Sequence, residues 1–125
     1  MKRDKLDILF SHYIKLLSGG YCSKCKKYFG VNSRGLHCAH YHSRGKRSTR
    51  FERDNATALC YYDHIKLDRH PAEKAEFWLE LIGLERFNEL DRLAHTPTKI
   101  DREAIEAELK MKIKFLKGYN DGKRG

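Results

Sequence analysis

The sequence has no run of apolar residues that approaches the ~18 needed for a membrane-spanning helix. Its first ten residues, MKRDKLDILF, place charges where a secretory signal peptide would have its apolar centre. It contains no internal repeat and no low-complexity tract, and its length of 125 residues indicates one domain. We therefore expect a single cytoplasmic domain, residues 1–125, with no membrane partner.

Acidic residues are also scarce relative to basic ones. The chain carries 17 Asp and Glu against 26 Lys and Arg, which gives a formal net charge of +9. An excess of this size favours a polyanionic partner, and nucleic acid is the main candidate. A generally charged, soluble surface is the alternative interpretation of the same composition.

Cysteine is limited to four residues, at positions 22, 25, 38 and 60. In a reducing compartment, thiols are metal ligands or free side chains more often than disulfides. Cys22 and Cys25 have the C-x-x-C spacing of a zinc knuckle. The cysteines therefore indicate a metal site.

Hydrophobic periodicity predicts an α+β fold with a core over about residues 21–70. The predicted elements are a helix over 4–18 capped by Asp4, a strand over 35–42, a short strand over 49–53, a helix over 56–69 capped by Asp54 or Asn55, and a helical region over 71–117. In the last region, Pro71 opens one helix, Gly83 ends it and Leu84 begins the next. The tail 120–125 is expected to be disordered.

Three motifs follow one another in the core: C22-S-K-C25, L36-H-C-A-H-Y-H42 and N55-A-T-A-L-C-Y-Y-D-H-I-K66. The last resembles the HNH nuclease pattern N-x-x-x-L-C-x-x-C-H-x-x-K, with Asp63 where the second cysteine usually stands. The stretch 37–55 resembles phage HNH proteins related to the NinG/Rap recombination nucleases. The resemblance implies a ββα-metal core with a zinc knuckle, flanked by N-terminal and C-terminal helices.

The resemblance also implies roles for three residues. His40 matches the general base, Asn55 the middle residue that holds the base strand, and His64 a ligand of the catalytic cation. A neutral imidazole can accept a proton from water near neutral pH. A bound Mg²⁺ or Mn²⁺ stabilises the charge that develops on the phosphate and the leaving group.

The second ligand of the catalytic cation is open. Many family members carry Asp or His immediately before the base, where this sequence has Ala39. Three arrangements are possible: His37 as a ligand, His42 as a ligand, or His64 alone with waters and the phosphate completing the shell. Mg²⁺ tolerates water-rich coordination, so we favour the third arrangement, followed by His37.

The structural zinc needs four ligands, and the family pattern supplies only three cysteines here: Cys22, Cys25 and Cys60. Asp63 stands at the fourth family position and can bind through oxygen. Cys38 is the alternative fourth ligand, and the absence of zinc is the third possibility.

Basic residues surround the predicted site and are candidates for contacts with DNA phosphates: Arg34, Arg44, Lys46, Arg47 and Arg50. We therefore expect a metal-dependent DNA endonuclease, encoded by a phage and active in the host cytoplasm, with branched or recombining DNA as candidate substrates. The alternatives are a zinc-stabilised DNA-binding module whose nuclease centre has decayed, and a zinc-ribbon adaptor for other proteins. The apolar stripe of the last helix is also a candidate contact for a homodimer.

Overall fold

The computed structural model describes residues 2–123, with side chains from 2 to 119. The first helix, α1 (Lys5–Leu17), begins at a capping box. In this box the Asp4 side chain accepts from the backbone N–H of Asp7, and the Asp7 side chain accepts from that of Asp4. These reciprocal bonds satisfy backbone donors that the first turn of a helix leaves unpaired, so the predicted helix over 4–18 is confirmed.

A two-stranded antiparallel sheet forms the centre of the fold. Strand β1 (Leu36–His40) pairs with β2 (Ala56–Cys60), so that Leu36 lies opposite Cys60 and His40 opposite Ala56. The two strands are joined by a short helix, α2 (Arg47–Arg50), and a 3-10 turn (Arg53–Asn55), and β2 leads directly into helix α3 (Tyr61–Arg69). The α+β class is confirmed.

Two predicted elements between residues 49 and 69 are wrong. The segment predicted as a strand over 49–53 begins inside helix α2 instead. The Arg50 side chain is buried against α1 in an ion pair with Asp7, and this contact favours the helical turn over a strand. The predicted helix over 56–69 starts only at Tyr61, and its first five residues form β2 instead. Four of those five residues are buried. A short apolar run is compatible with the periodicity of a helix or of a strand, and pairing with β1 makes this one a strand.

The helix cap changes accordingly. Neither Asp54 nor Asn55 caps α3. Cys60 does, and its sulfur accepts from the backbone N–H of Asp63 at 3.5 Å. The first strand is also shorter than predicted, ending at His40 rather than at residue 42.

Three helices complete the chain: α4 (Pro71–Ile82), α5 (Leu84–Ala94) and α6 (Arg102–Lys123). Pro71 occupies the first turn of α4, and Gly83 separates α4 from α5 with a φ of 84°, a conformation that favours glycine. The break at Gly83 is confirmed. The prediction of a disordered tail is wrong as far as Lys123, and residues 124–125 lie outside the described residues.

The core consists of two clusters. One surrounds Trp78 and Leu67 and packs α3 and α4 against the sheet, whereas the other packs α1 against α6 around Phe10. The apolar stripe of α6, which we considered as a dimer contact, belongs to the second cluster: Ile105, Leu109, Ile113 and Leu116. Within the chain, α1 packs against that stripe. Among residues 2–123, no helix is long and apolar enough to cross a membrane.

Candidate metal centre and catalytic cleft

Three cysteines and one aspartate lie together at one end of the sheet. Cys22 and Cys25 come from the loop after α1, Cys60 ends β2, and Asp63 stands in the first turn of α3. One ligand atom of each residue lies within 4.8 Å of the others. Oδ2 of Asp63 is 3.3 Å from Sγ of Cys22 and 3.3 Å from Sγ of Cys60. We call these four residues the Cys3Asp group.

The loop that carries Cys22 and Cys25 is fixed to strand β2. The backbone N–H of Ser23 donates to the carbonyl oxygen of Ala58 at 2.9 Å, and the Ser23 hydroxyl donates to the same oxygen at 3.0 Å. Lys26 has a φ of 66°, which turns the chain so that its N–H reaches the carbonyl of Cys22 at 2.9 Å. The two cysteines are thereby presented to the end of β2.

Backbone N–H groups also point at two of the sulfurs. The N–H of Cys25 lies 3.5 Å from Sγ of Cys22, and the N–H of Asp63 lies 3.5 Å from Sγ of Cys60. Such donors stabilise negative charge on sulfur and orient metal ligands.

The Cys3Asp group fits a tetrahedral zinc ion. Bonds of about 2.3 Å to sulfur and 2.0–2.2 Å to oxygen separate neighbouring ligand atoms by about 3.5–3.8 Å. The observed separations bracket that range. Cys38 is not a member of the group and packs instead in the cluster between α1 and α6. Burial raises the pKa of the Cys38 thiol to about 12, which keeps it protonated.

A separate open cleft contains the three histidines that the sequence analysis selected. His37 and His40 come from β1, and His64 comes from the first half of α3. We call it the histidine cleft; its polar lining includes His37, His40, Arg44, His64, Asp68 and Lys74. His40 and His64 both line this cleft.

The rings of His37 and His64 meet inside this cleft, with their Nδ1 atoms 2.9 Å apart. Nε2 of His37 lies 3.2 Å from the carbonyl oxygen of Arg34, and Nε2 of His64 lies 3.4 Å from Oδ2 of Asp68. The carbonyl of Arg34 only accepts a hydrogen bond, which places the ring proton of His37 on Nε2, and the charge of the Asp68 carboxylate favours the same tautomer of His64. Two nitrogen lone pairs then face each other, an arrangement that needs a cation or a shared proton between them.

A divalent cation suits this pair. Two ligands at right angles around a cation with bonds of about 2.1 Å lie about 3.0 Å apart. A histidine ligand commonly donates its other N–H to a carbonyl or carboxylate, which fixes its tautomer. The geometry therefore favours His37 as the second ligand over His64 acting alone. His42 is directed away from the cleft, toward Asp91 and His95.

His40 has a different environment from the pair. Its Nε2 lies 3.1 Å from the carbonyl oxygen of Arg50, so Nε2 carries the proton and Nδ1 keeps a lone pair. Its ring lies against Phe10, with centroids 5.7 Å apart. Burial lowers the pKa of His40 below its usual 6.5, which outweighs the opposing hydrogen bond to Arg50. The imidazole is therefore neutral at physiological pH, as a proton acceptor must be.

Asn55 is fully buried and ties together the backbone around His40. Its Oδ1 accepts from the N–H of His42 at 2.8 Å, and its Nδ2 donates to the carbonyls of His42 and Thr49 at 3.0 Å each. The side chain thus closes the loop that leaves β1 and makes no contact with the histidine pair.

The five basic residues chosen from the sequence fall into three groups. Arg34 and Arg44 line the histidine cleft, and Lys46 and Arg47 line a second cavity. Arg50 is 7% exposed and its guanidinium donates to both oxygens of Asp7, so the interpretation of Arg50 as a phosphate contact is replaced by a structural role.

Among the residues of the cleft that sequence analysis missed are Asp7, Asp68 and Lys74. A signal for Asp68 was present, because it lies four residues after His64 and therefore on the same helix face. Lys74, which bonds Asp68 at 2.8 Å, and Asp7 arrive from other helices, and no local pattern marks them.

Comparisons of this chain with protein-family models, with curated proteins and with solved structures find no match. The interpretation of the site therefore depends on the geometry of its own residues.

Proposed function

We propose that this protein is a metal-dependent phosphodiester hydrolase, and more particularly a DNA endonuclease of the HNH type. The observation that carries the proposal is the cleft in which a neutral, half-buried imidazole, His40, accompanies two imidazoles whose lone pairs converge, those of His37 and His64. The chain order β1, β2, α3 and the predominance of basic side chains in the cleft support it.

In the proposed reaction, His40 accepts a proton from the attacking water through Nδ1. The carbonyl of Arg50 fixes the required tautomer by accepting from Nε2. Asn55 takes no part in the proton transfer and only positions His40, by holding the loop that follows β1. Arg44, which lies beside Asp7 at the wall of the cleft, adds positive charge near the phosphate.

His37 and His64 would hold the divalent cation through their Nδ1 atoms. When bound, Mg²⁺ or Mn²⁺ supplies Lewis-acid stabilisation of the phosphate and of the leaving oxygen. The carbonyl of Arg34 positions the ring of His37 through its Nε2 proton, and the Asp68 carboxylate lies 3.4 Å from Nε2 of His64. The Cys3Asp group would hold a structural zinc, since none of its four residues lines the cleft.

A zinc-stabilised DNA-binding module without activity is the second candidate. The observation in its favour is Ala39, which is fully buried and offers no ligand at the position next to His40. Under that alternative the chain still binds DNA but does not cut it.

A plasmid-nicking assay with Mg²⁺ or Mn²⁺ separates the two candidates. We expect conversion of supercoiled DNA to nicked circles by the wild type, loss of cutting but not of binding in His40→Ala, and full activity in His70→Ala, an exposed histidine outside the cleft. Linear and four-way-junction DNA belong in the same assay, because the sequence resemblance suggests recombining DNA as substrate. Undiminished cutting by His40→Ala would contradict the assignment of the base.

A further inference from the structure

A second cavity, of about 920 Å³, lies next to the histidine cleft. Its walls come from three segments far apart in the sequence: the loop and start of α2 over 45–48, the end of α5, and the linker 97–100 between α5 and α6. The end of α5 is held against α2, because the Ser48 hydroxyl donates to the carbonyl of Leu93 at 2.6 Å. These segments together form a concave surface that no local sequence motif predicts.

The charge of this cavity is strongly positive. Lys46, Arg47 and Lys99 line it, and none of them forms an ion pair with a carboxylate that the structure describes. The only acidic side chain among its lining residues, Asp4, is already bonded to Arg102 at 2.9 Å. Three cationic groups therefore face the cavity without a counter-charge from the described part of the chain.

The cavity and the histidine cleft share a wall. Ser43 and Arg44 line the cleft, whereas the next residues, Gly45 and Lys46, line the cavity. At the start of α1, Asp7 lines the cleft and the capping residue Asp4 lines the cavity, three residues or about 4.5 Å apart along the axis. A nucleic-acid strand carries a phosphate about every 3.4 Å of helix axis, so a strand with one phosphate in the cleft has others within reach of the cavity.

We infer that this cavity is a second phosphate-binding site for the backbone of the same nucleic acid, held by Lys46, Arg47 and Lys99. The inference rests on the proposed nuclease function and assigns to the linker between α5 and α6 a role in positioning the substrate. Contacts of this kind fix the register of the backbone and carry no sequence information. A phosphate bound here sets which bond enters the histidine cleft.

The test compares DNA binding by the full-length, zinc-loaded chain and by two double variants. Arg47→Gln with Lys99→Gln removes two cations from the cavity. Lys114→Gln with Lys117→Gln removes two exposed cations from α6, about 18 Å or more along the helix from Arg102. Fluorescence anisotropy with a labelled duplex gives the dissociation constant at several salt concentrations, and thermal unfolding verifies that both variants fold.

We expect the cavity variant to lower the slope of log K against log [salt] by about 0.9 for each phosphate that it no longer neutralises. The α6 variant, with the same net charge, keeps the wild-type slope. Duplexes with single methylphosphonate substitutions then locate the contact. One neutralised phosphate, distinct from the cleaved one, should weaken binding to the wild type and have no effect on the cavity variant.

The remaining outcomes are separable. An unchanged slope, or a lower slope with an unchanged methylphosphonate pattern, overturns the inference, because the charges would then act only at a distance. Binding without cleavage overturns the proposed nuclease function while the methylphosphonate pattern still decides on the cavity. If the wild type does not bind DNA, both proposals fail.

Discussion

The carbonyl oxygen of Arg50 accepts from Nε2 of His40 at 3.1 Å, while the guanidinium of the same residue is bonded to Asp7. One residue thus connects an acidic side chain in the first turn of α1 to the proposed base on β1. The buried ion pair fixes the backbone of α2, and that backbone fixes the tautomer of the imidazole. The contacts of Arg50 with Asp7 and His40 therefore contribute both to the stability of the fold and to the chemistry of the cleft.

Removal of the Asp7 charge should destabilise the protein in a pH-dependent way. Burial by itself raises the pKa of Asp7, but the hydrogen bonds from Arg50 and from the backbone of Asp4, with the charges of Arg50 and Arg44, lower it from 3.8 to about 2. A shift of that size corresponds to about 2 kcal/mol of unfolding free energy. We expect Asp7→Asn to lose about this amount at pH 7 in urea unfolding.

The sign of the pH effect follows from the lowered folded-state pKa. The contribution of Asp7 is complete above about pH 4 and disappears as the pH falls toward 2, because the unfolded chain then binds the proton more readily. The difference between wild type and Asp7→Asn should shrink over that window. Glu85→Gln, at an exposed position, is the control and should show no such difference. A pH-independent difference would assign the effect to packing instead.

The pH profile of cleavage should identify His40 as the base. Burial lowers the pKa of His40 below 6.5, and only the neutral ring accepts a proton. At saturating cation, kcat/KM should rise with pH through this lowered pKa and be level by pH 7. His40→Ala should lose about 10²–10⁴ of the rate, together with this acid limb. An acid limb that persists in the variant would show that another group titrates.

Asn55 should matter for folding as well as for activity. Replacement by Ala leaves three buried backbone groups of His42 and Thr49 without their partner. We expect a loss of about 3 kcal/mol in unfolding free energy, since each unsatisfied buried group costs roughly 1–3 kcal/mol. Asn88→Ala, at an exposed position, is the matched control for urea unfolding. Equal stability of the two variants would mean that solvent replaces the missing bonds.

The Cys3Asp group should bind one zinc ion per chain and depend on it for folding. Elemental analysis should find the metal in the wild type and in Cys38→Ser, which alters a thiol outside the group, but not in Cys22→Ser. Asp63→Cys should keep the metal and resist chelators longer, because a thiolate replaces the weaker oxygen ligand. Zinc retained by Cys22→Ser would remove that residue from the site.

Helices were predicted more reliably than the sheet. Asp4 as the cap of α1, Pro71 and Gly83 are local signals, and each marked a boundary that the structure confirms. The conformation of residues 56–60 depends on pairing with β1, and that of residues 47–50 on an ion pair with α1. Neither contact is visible in a short window of sequence, which explains why both segments were assigned wrongly.

The site was predictable as a set of residue types and less so as a geometry. Cys22 and Cys25 were selected by their spacing, Cys60 and Asp63 by the family resemblance, and the four lie together. The convergence of His37 and His64 depends on the angle between β1 and α3, and the burial of Arg50 depends on Asp7, 43 residues earlier in the chain. Contacts between residues so far apart in the sequence are visible only in the structure.

Asp68 should control the affinity of the histidine pair for a cation. Its carboxylate lies 3.4 Å from Nε2 of His64, where its charge favours a proton on Nε2 and increases the basicity of Nδ1. We expect Asp68→Asn to weaken Mn²⁺ binding about 10–100-fold, the usual effect of removing such a partner, as measured from free Mn²⁺ by electron paramagnetic resonance. Asp91→Asn, whose carboxylate faces His42 and His95 outside the cleft, should bind Mn²⁺ as the wild type does. If Asp68→Asn binds Mn²⁺ normally while His37→Ala does not, the pair holds the cation without support from Asp68. If neither substitution changes the affinity, the converging nitrogens share a proton rather than a metal ion, and the cation of the proposed reaction must be held elsewhere.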